Sequence, residues 1–434
     1  MTLRSYKVEL DPNDRQRTGM LRHAGAARFI YNWGLAELRR EYRERKTGTA
    51  PGEKVRGALT PRDIQARLPA LKEQLPWLRE VTAQTLQSAL WYLDAAFKSF
   101  FRRVKSGGPP GYPRFKKKGV TRPSFQFPQK VKVRPAHLQL PKIGGVRMKR
   151  EGYVPTDLPV KTVTVSERAG RWYASVLIEI PEAPAPSAPL TEEIVGVDLG
   201  VKTLAVLSDG TRYPNPRHLE RSLGALRKLQ RRLSRQKKGS NRRARTKARL
   251  ARAHARVADQ RNDAIHKMTA EVVKTKRPQA VVIEDLNVQG MVKNRHLARA
   301  VSGAAFGEVR RQLTYKAERS GVRLIVADRW FPSSKTCSAC GAVRDTLGLG
   351  ERVFRCPACG FIEDRDLNAA QNLRAWGLRV LTGGTPVTAR GGAGSPQATE
   401  AGPDETRTDL KPPLGGLVSV GVHESVAQPA ELRW

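Results

Sequence analysis

"KTCSACGAVRDTLGLGERVFRCPACGFIEDRDLNAAQNL", residues 335–373, holds all four cysteines of a 434-residue chain and runs directly into acids. Two residues separate Cys337 from Cys340 and Cys356 from Cys359, and fifteen residues separate the pairs. Gly341 and Gly360 follow the pairs, where a tight turn has to close. Four thiolates at this spacing fit a tetrahedral zinc site, and a shell filled by four protein ligands leaves no position for substrate. The zinc is therefore expected to be structural, and any chemistry has to come from other residues. So few cysteines in so long a chain make no disulfide scaffold and agree with a reducing compartment.

Outward from this segment, three acids stand where the chain leaves or enters regular structure. Asp198 ends the apolar run "IVGVD", Glu284 ends "AVVIE", and Asp366 opens the helical "DLNAAQNL", two residues after Asp364. Carboxylates presented at the rim of a sheet can hold two divalent ions about 4 Å apart, an arrangement that hydrolyses phosphodiesters. Taken singly, each acid is as well read as an ordinary cap or loop residue.

The surrounding pattern divides the chain. "EIVGVDLGVKTLAVLSDG" reads as two β-branched runs joined as a hairpin. Residues 217–276 are basic and helical, with Leu219, Leu223, Leu226, Leu229 and Leu233 on one stripe and "KKGSN" breaking them into a helical hairpin. A helix near 302–319 and the strand "VRLIVAD" lead into the cysteines. Toward the N-terminus, a strand "RSYKVEL" precedes two amphipathic stretches, "RHAGAARFIYNWGLAELRREY" and "TAQTLQSALWYLDAAFKSFFRRV", the second with Thr82 as its expected cap. The loop "GGPPGYPRFKKKG" crowds Arg114, Lys116, Lys117 and Lys118 together and reads as a phosphate contact. Short β-like pieces between 124 and 180, separated by turn residues, suggest a small barrel that the first strand joins. "PEAPAPSAPL" at 181–190 reads as a linker, and the chain beyond about 380 as a disordered tail.

Lys and Arg number 79 against 40 Asp and Glu, a net charge of +39. Such an excess points to a polyanionic partner: nucleic acid first, an anionic membrane surface second. The basic hairpin carries charge of nearly one sign, which an isolated helix resists and phosphate relieves. Arg231, Arg232, Lys237 and Lys238 are its candidate contacts. No apolar run approaches the roughly 20 residues that span a bilayer, and the polar start does not read as a signal peptide, so a cytosolic protein is expected.

In their order, "GVDLGVKTLAV", "VVIEDL", "FPSSKTCSACG", "CPACG" and "DRDLNAAQNL" resemble the TnpB family, the OrfB proteins of bacterial insertion sequences, to which compact type V CRISPR effectors are related. With "ARFIYNWGL" and "GYPRFKKK" the resemblance spans roughly residues 4–376. It implies an α/β multidomain chain: an RNase H-like (RuvC) nuclease domain at 191–334 and 361–380, a zinc ribbon inserted at 335–360, and a β-barrel wedge domain at 1–12 and 119–180 carrying a helical recognition insertion at 13–118.

The activity implied is RNA-guided cleavage of double-stranded DNA beside a short flanking motif. Asp198, Glu284 and Asp366 would be the catalytic acids holding Mg²⁺, and Cys337, Cys340, Cys356 and Cys359 the structural Zn²⁺ ligands. Asp366 is preferred over Asp364 because the family's ligand directly precedes x-Asn-Ala-Ala. The partners implied are a guide RNA encoded near the gene and the target DNA, with a monomer in the ribonucleoprotein, at the nucleoid in the bacterial cytoplasm. The flanking-motif reader would lie where wedge meets recognition helices, and Gln84 and Gln87, whose amides suit adenine, are its candidates. A catalytically inactive RNA-guided repressor and a compact CRISPR effector are the alternatives. A transposase with a His-hydrophobic-His metal pair is disfavoured, since no His-x-His occurs among the seven histidines.

Overall fold

Sheets of seven, five and two strands organise the described part of this computed structural model, which comprises residues 2–47, 60–181, 193–348 and 350–383. The expected linker beyond Pro181 and the tail beyond Gly383 lie outside the described residues.

The N-terminal body starts with strand β1 (Thr2–Asp11) and a 34-residue helix α1 (Asp14–Thr47). Helices α2 (Pro61–Ala66), α3 (Leu68–Gln74) and α4 (Ala83–Lys105) follow, and α4 packs along α1. Gly34 makes that packing close: a Cβ there would stand 2.6 Å from Leu90 Cδ2. Thr82 occupies the N-cap position of α4 but does not cap it. Its hydroxyl is engaged with Nε2 of the buried His23, 3.1 Å away, whose Nδ1 donates to Gly19 O.

Strands β2 (Ser124–Phe127), β3 (Lys132–Val133), β4 (His137–Leu140), β5 (Gly144–Met148), β6 (Val160–Arg168) and β7 (Arg171–Ile180) complete the seven-stranded sheet, in the order β2-β6-β7-β1-β5-β4-β3. All its pairings are antiparallel, and β1 does join it, lying between β7 and β5. The alternation of "RWYASVLIEI" buries Trp172, Ala174, Val176 and Ile178 on one face, where the helices cover them.

The second body is built on β8 (Ile194–Asp198), β9 (Thr203–Leu207), β10 (Arg212–Pro214), β11 (Ala280–Glu284) and β12 (Arg323–Ala327), in the order β10-β9-β8-β11-β12. β8, β11 and β12 run parallel, while β9 and β10 are antiparallel. The near-continuous apolar runs of β8 and β11 follow from burial on both faces. Helix α10 (Arg365–Leu381) covers Ile194, Val282 and Ile325 on one face. On the other, Val195, Val197, Val281 and Ile283 meet helices α6 (Asn241–Ala270), α8 (Ala298–Ala304) and α9 (Phe306–Ser320).

The single helix expected near 302–319 is thus two, broken at Ala305, whose left-handed backbone (φ 55°) turns the chain between α8 and α9. A four-residue helix α7 (Val288–Met291) precedes them. Helix α5 (His218–Ser234) forms the expected hairpin with α6, but only Leu226 of its leucine stripe is buried, because α5 has little besides α6 to pack on. The cysteine segment forms a small hairpin, β13 (Val353–Arg355) with β14 (Ile362–Asp364). Among the described residues no helix is long and apolar enough to cross a membrane.

The tightest contact in the second body is α10 on β8. A Cβ on Gly196 would lie 2.0 Å from Ala370 O and 2.6 Å from Arg374 N, and one on Gly377 would lie 2.4 Å from Val282 Cγ2. Since Gly196 would strike helix backbone, no rotamer change relieves the clash. Gly196→Ala is expected to destabilise this body by roughly 3 kcal/mol, at the upper end of overpacking costs. Denaturant unfolding checks this, and an unchanged midpoint would show that α10 can ride higher on the sheet.

Candidate active site

Strand alternation sets the directions of two acids. Gly196 and Val282 touch α10, so Asp198 and Glu284, two residues further on each strand, project to that same face. The parallel register, with Ile283 opposite Val197, puts Glu284 beside Asp198 at the carboxyl ends of neighbouring strands. Helix α10 then brings Asp366 in its first turn to the same rim.

All three are half-buried: each reaches the surface, with protein mass close around it. Burial, then the negative charges of Glu284 and Asp366, push the Asp198 carboxyl well up. Burial also raises Glu284, against a hydrogen bond from Ser333 and the positive charge of Arg365. Carboxylates that repel one another in a partly dry rim are a donor set suited to a hard divalent cation, which takes oxygen ligands and offsets their charge. Among the described residues these acids are not gathered within 4.8 Å of one another.

Asp364 has a different task. Its Oδ1 accepts from the backbone N–H groups of Asp366 and Leu367, both at 3.1 Å, and pairs with Arg212 Nη2 on β10 at 3.1 Å. It is the N-cap of α10. Asp285, next to Glu284, points to the other face and is paired with Arg310 and Arg329.

The four cysteine Sγ atoms all lie within 4.8 Å of one another. The two pairs fold alike: Gly341 N–H donates to Cys337 O and Gly360 N–H to Cys356 O, with both glycines left-handed at φ 80° and 76°. The thiols share charge unevenly: backbone N–H groups of Cys359 and Ala358 hold Cys356 down to about 6, whereas Cys359, against the Phe361 backbone N–H, is pushed up to about 12 by its hydrogen bonds with the neighbouring thiols and by burial. Phe354, fully buried, packs beneath Cys337 and Cys356.

Comparisons with known proteins show the family of the chain. Residues 175–295 match the OrfB_IS605 family, described as "Probable transposase", and residues 306–373 match the "Cas12f1-like, TNB domain". A Streptomyces pristinaespiralis protein named "Putative RNA-guided DNA endonuclease" is 38% identical over 392 residues, covering 88% of this chain and 92% of that protein. "Putative RNA-guided DNA endonuclease InsQ" of Escherichia coli (strain K12) is 33% identical over 402 residues, covering 89% and 95%. The chain belongs to the OrfB (TnpB) family. A solved structure of CasPhi-2 (Cas12j) bound to crRNA aligns with 89% of this chain and 99% of its own, at 12% identity and a TM-score of 0.43, a likeness too loose to build on. Residues 1–47 also match a family described as "Helix-turn-helix domain", but here they form one strand and one unbroken helix.

Several residues that hold the rim acids in place carried no signal in the sequence. Ser333, itself buried, donates its hydroxyl to Glu284 Oε1. Asn372 Nδ2 donates to Ser333 O and Thr336 O, both at 2.7 Å, and Asn368 fastens Thr336 O at 2.7 Å and Ser338 N at 3.0 Å. The polar face of α10 thereby ties the first cysteine turn to the helix that carries Asp366. "DLNAAQNL" shows two asparagines at i, i+4, a hint of such a face, but nothing names what they hold. Arg365 is the cation beside the acids, fixed by Gly348 O at 3.0 Å.

The expected nucleic-acid contacts divide. Arg231, Arg232, Lys237 and Lys238 are exposed on the hairpin, as are Arg114, Lys117 and Lys118 on their loop. Lys116 differs: its Nζ sits 3.8 Å from the Tyr31 ring centre, and burial lowers its pKa. Gln87 is half-buried on α4, and Gln84 Oε1 is buried without a hydrogen-bond partner.

Purified protein is expected to hold about one zinc, with Cys356→Ser losing both the metal and the folding of 335–373, since structural zinc contributes folding energy directly. Metal analysis with proteolysis of that segment checks it. A separate expectation concerns Ser333: Ser333→Ala should weaken Mn²⁺ binding at the acid rim roughly tenfold, the usual order for a residue that orients a ligand, with zinc content unchanged. Equal Mn²⁺ affinity in variant and parent would rule out a role in holding Glu284.

Proposed function

We propose that this protein is an RNA-guided DNA endonuclease of a transposable element, cutting double-stranded target DNA next to a short flanking motif. The observation that carries the proposal is the convergence of Asp198, Glu284 and Asp366 on one sheet rim, within a chain whose net charge is +39. Acids gathered against their own repulsion serve little structural purpose, and a basic surface around them attracts the phosphates they would act on. The five-stranded body is read as the RuvC-like nuclease domain and the seven-stranded one as the wedge. Both named relatives, similar along nearly their whole length, support the reading.

Asp198, Glu284 and Asp366 would hold Mg²⁺, which when bound supplies Lewis-acid polarisation of the phosphate and an activated water. The chain's own residues do the rest. Ser333 orients the Glu284 carboxylate, and Asp364 fixes the first turn of α10 so that Asp366 faces the other two acids. Arg365 tempers their mutual repulsion. A guide RNA, encoded near the gene, would select the sequence by pairing, leaving the protein to read the flanking motif through residues such as Gln84 and Gln87. The complete set of acids speaks against the repressor alternative. We read the working unit as one protein chain with its RNA.

With its guide RNA and Mg²⁺, the protein should cleave matched DNA, and Asp198→Ala should abolish cleavage while matched-DNA binding survives, because pairing and the basic surface hold the substrate. Asp364→Ser, which keeps a capping hydroxyl, should retain measurable activity, whereas Asp366→Ser should not. Gel assays of cutting and binding decide this. Cleavage by the Asp198→Ala protein would overturn the assignment of the acids.

A further inference from the structure

The loop 111–118 does more than carry lysines. Asn32 on α1 holds it as a neighbouring strand would: its Nδ2 donates to Lys116 O at 2.9 Å, and its Oδ1 accepts from Lys116 N at 2.8 Å. Arg39, about two turns further along α1, donates to Pro113 O at 3.2 Å. The same guanidinium lies 5.1 Å from the ring centre of Tyr112 and 4.8 Å from that of Phe115, bridging the two rings. Tyr112 is in turn braced by Phe97 and Phe100, with ring centres 5.6 and 5.2 Å away. Despite this bracing, Tyr112 is 42% exposed and Phe115 43%.

Next to Phe115, α1 opens a groove of about 370 Å³ lined by Arg39, Arg40, Arg43 and Glu44. Glu44 is engaged with Arg40 at 3.6 Å, and Arg43 has no acidic partner among the described residues. Rings presented at the surface beside guanidiniums offer both things an unpaired nucleotide needs: a face for its base and charge for its phosphate. A duplex hides its base faces, so it gains nothing from the rings. A polypeptide partner would find an apolar ledge ringed by cations, whereas a polyanion finds complementary charge. Lys247 on α6 donates to Gly119 O at 3.2 Å, so the basic hairpin meets the end of this same loop. The ledge belongs to the N-terminal body and shares no residue with the acid rim, where a DNA strand has to be presented for cutting.

We infer that Tyr112 and Phe115, with the arginines of α1, form a stacking site for an unpaired nucleotide of the guide RNA. The inference rests on the reading of the protein as an RNA-guided enzyme and deepens it. Stacking and phosphate contacts part under salt: charge neutralisation weakens steeply as salt rises, while stacking persists.

The test uses the full-length protein and its guide RNA, titrated at about 0.1 M and about 0.5 M salt. The Tyr112→Leu/Phe115→Leu protein should bind RNA roughly tenfold more weakly at both salts, as loss of one stacked base implies. A Lys117→Ala/Lys118→Ala protein should show a loss that shrinks as salt rises. Phe115→Trp, which enlarges the stacking face, should keep wild-type affinity and guards against reading a folding defect as a binding one. A double-leucine protein equal to wild type at both salts overturns the site. A loss confined to target-DNA binding by the preassembled ribonucleoprotein also overturns it, assigning the ledge to DNA. A wild type that binds no RNA overturns the underlying reading as well, which separates the two failures.

Discussion

The second body hangs on the approach of helix α10 to strand β8, where Gly196 lets backbone meet backbone with no side chain between them. The helix carries an acid at its start, two asparagines on its flank and an apolar stripe beneath. Each of these reaches its partner only at this depth. Were α10 lifted by a methyl group, Asp366 would leave the plane of Asp198 and Glu284. Asn368 and Asn372 would move off the cysteine turn with it. One missing Cβ thus fixes the height of everything bound to the helix.

From that height the link between the cysteine cluster and the acids follows. Ser338, directly after Cys337, donates its backbone N–H to Asn368, and Ser333, at the other end of the turn, donates to Glu284. Asn372 stands between them, holding the carbonyls of Ser333 and Thr336. The segment 333–338 is therefore pinned by the helix on one side and pins Glu284 on the other. Cysteines that are no part of the acid rim gain a bearing on it because the first knuckle and α10 share these bonds.

Much of this was legible in the sequence, and the limits of legibility have physical causes. Cysteine spacing reports local geometry, so the cluster could be read directly. The ends of "IVGVD" and "AVVIE" mark strand termini because apolar runs stop where strands reach solvent. Contacts between distant segments leave no such trace. Nothing in Gly196 distinguishes a close approach from a flexible residue, and nothing in Ser333 announces Glu284. Local patterns also misled where tertiary partners took the group: Thr82 sits at a helix start, yet its hydroxyl is engaged by His23. Lys116 lies in a basic run, yet its ammonium is turned onto Tyr31. The leucine stripe of α5 implied a buried face where only Leu226 is fully buried and the others are half-buried, because amphipathic spacing says which residues share a side and not how much protein lies against it.

The electrostatics of the dipeptide Glu284–Asp285 carry the argument one step further. Adjacent residues on a strand face opposite ways, so two acids that look equivalent in sequence enter opposite environments. Asp285 meets Arg310 and Arg329, which hold its carboxyl below the usual range against its burial. Glu284 lies beside Asp198, and burial drives it up against the Ser333 hydroxyl and the charge of Arg365. In a chain so rich in Lys and Arg, leaving three acids with so little cationic company is the unusual choice. Two arginines, Arg310 of α9 and Arg329 after β12, are engaged instead by Asp285, one residue away. Cations of the protein itself are thus kept largely off the acid rim, and that leaves its oxygen donors open to the divalent ion we propose there.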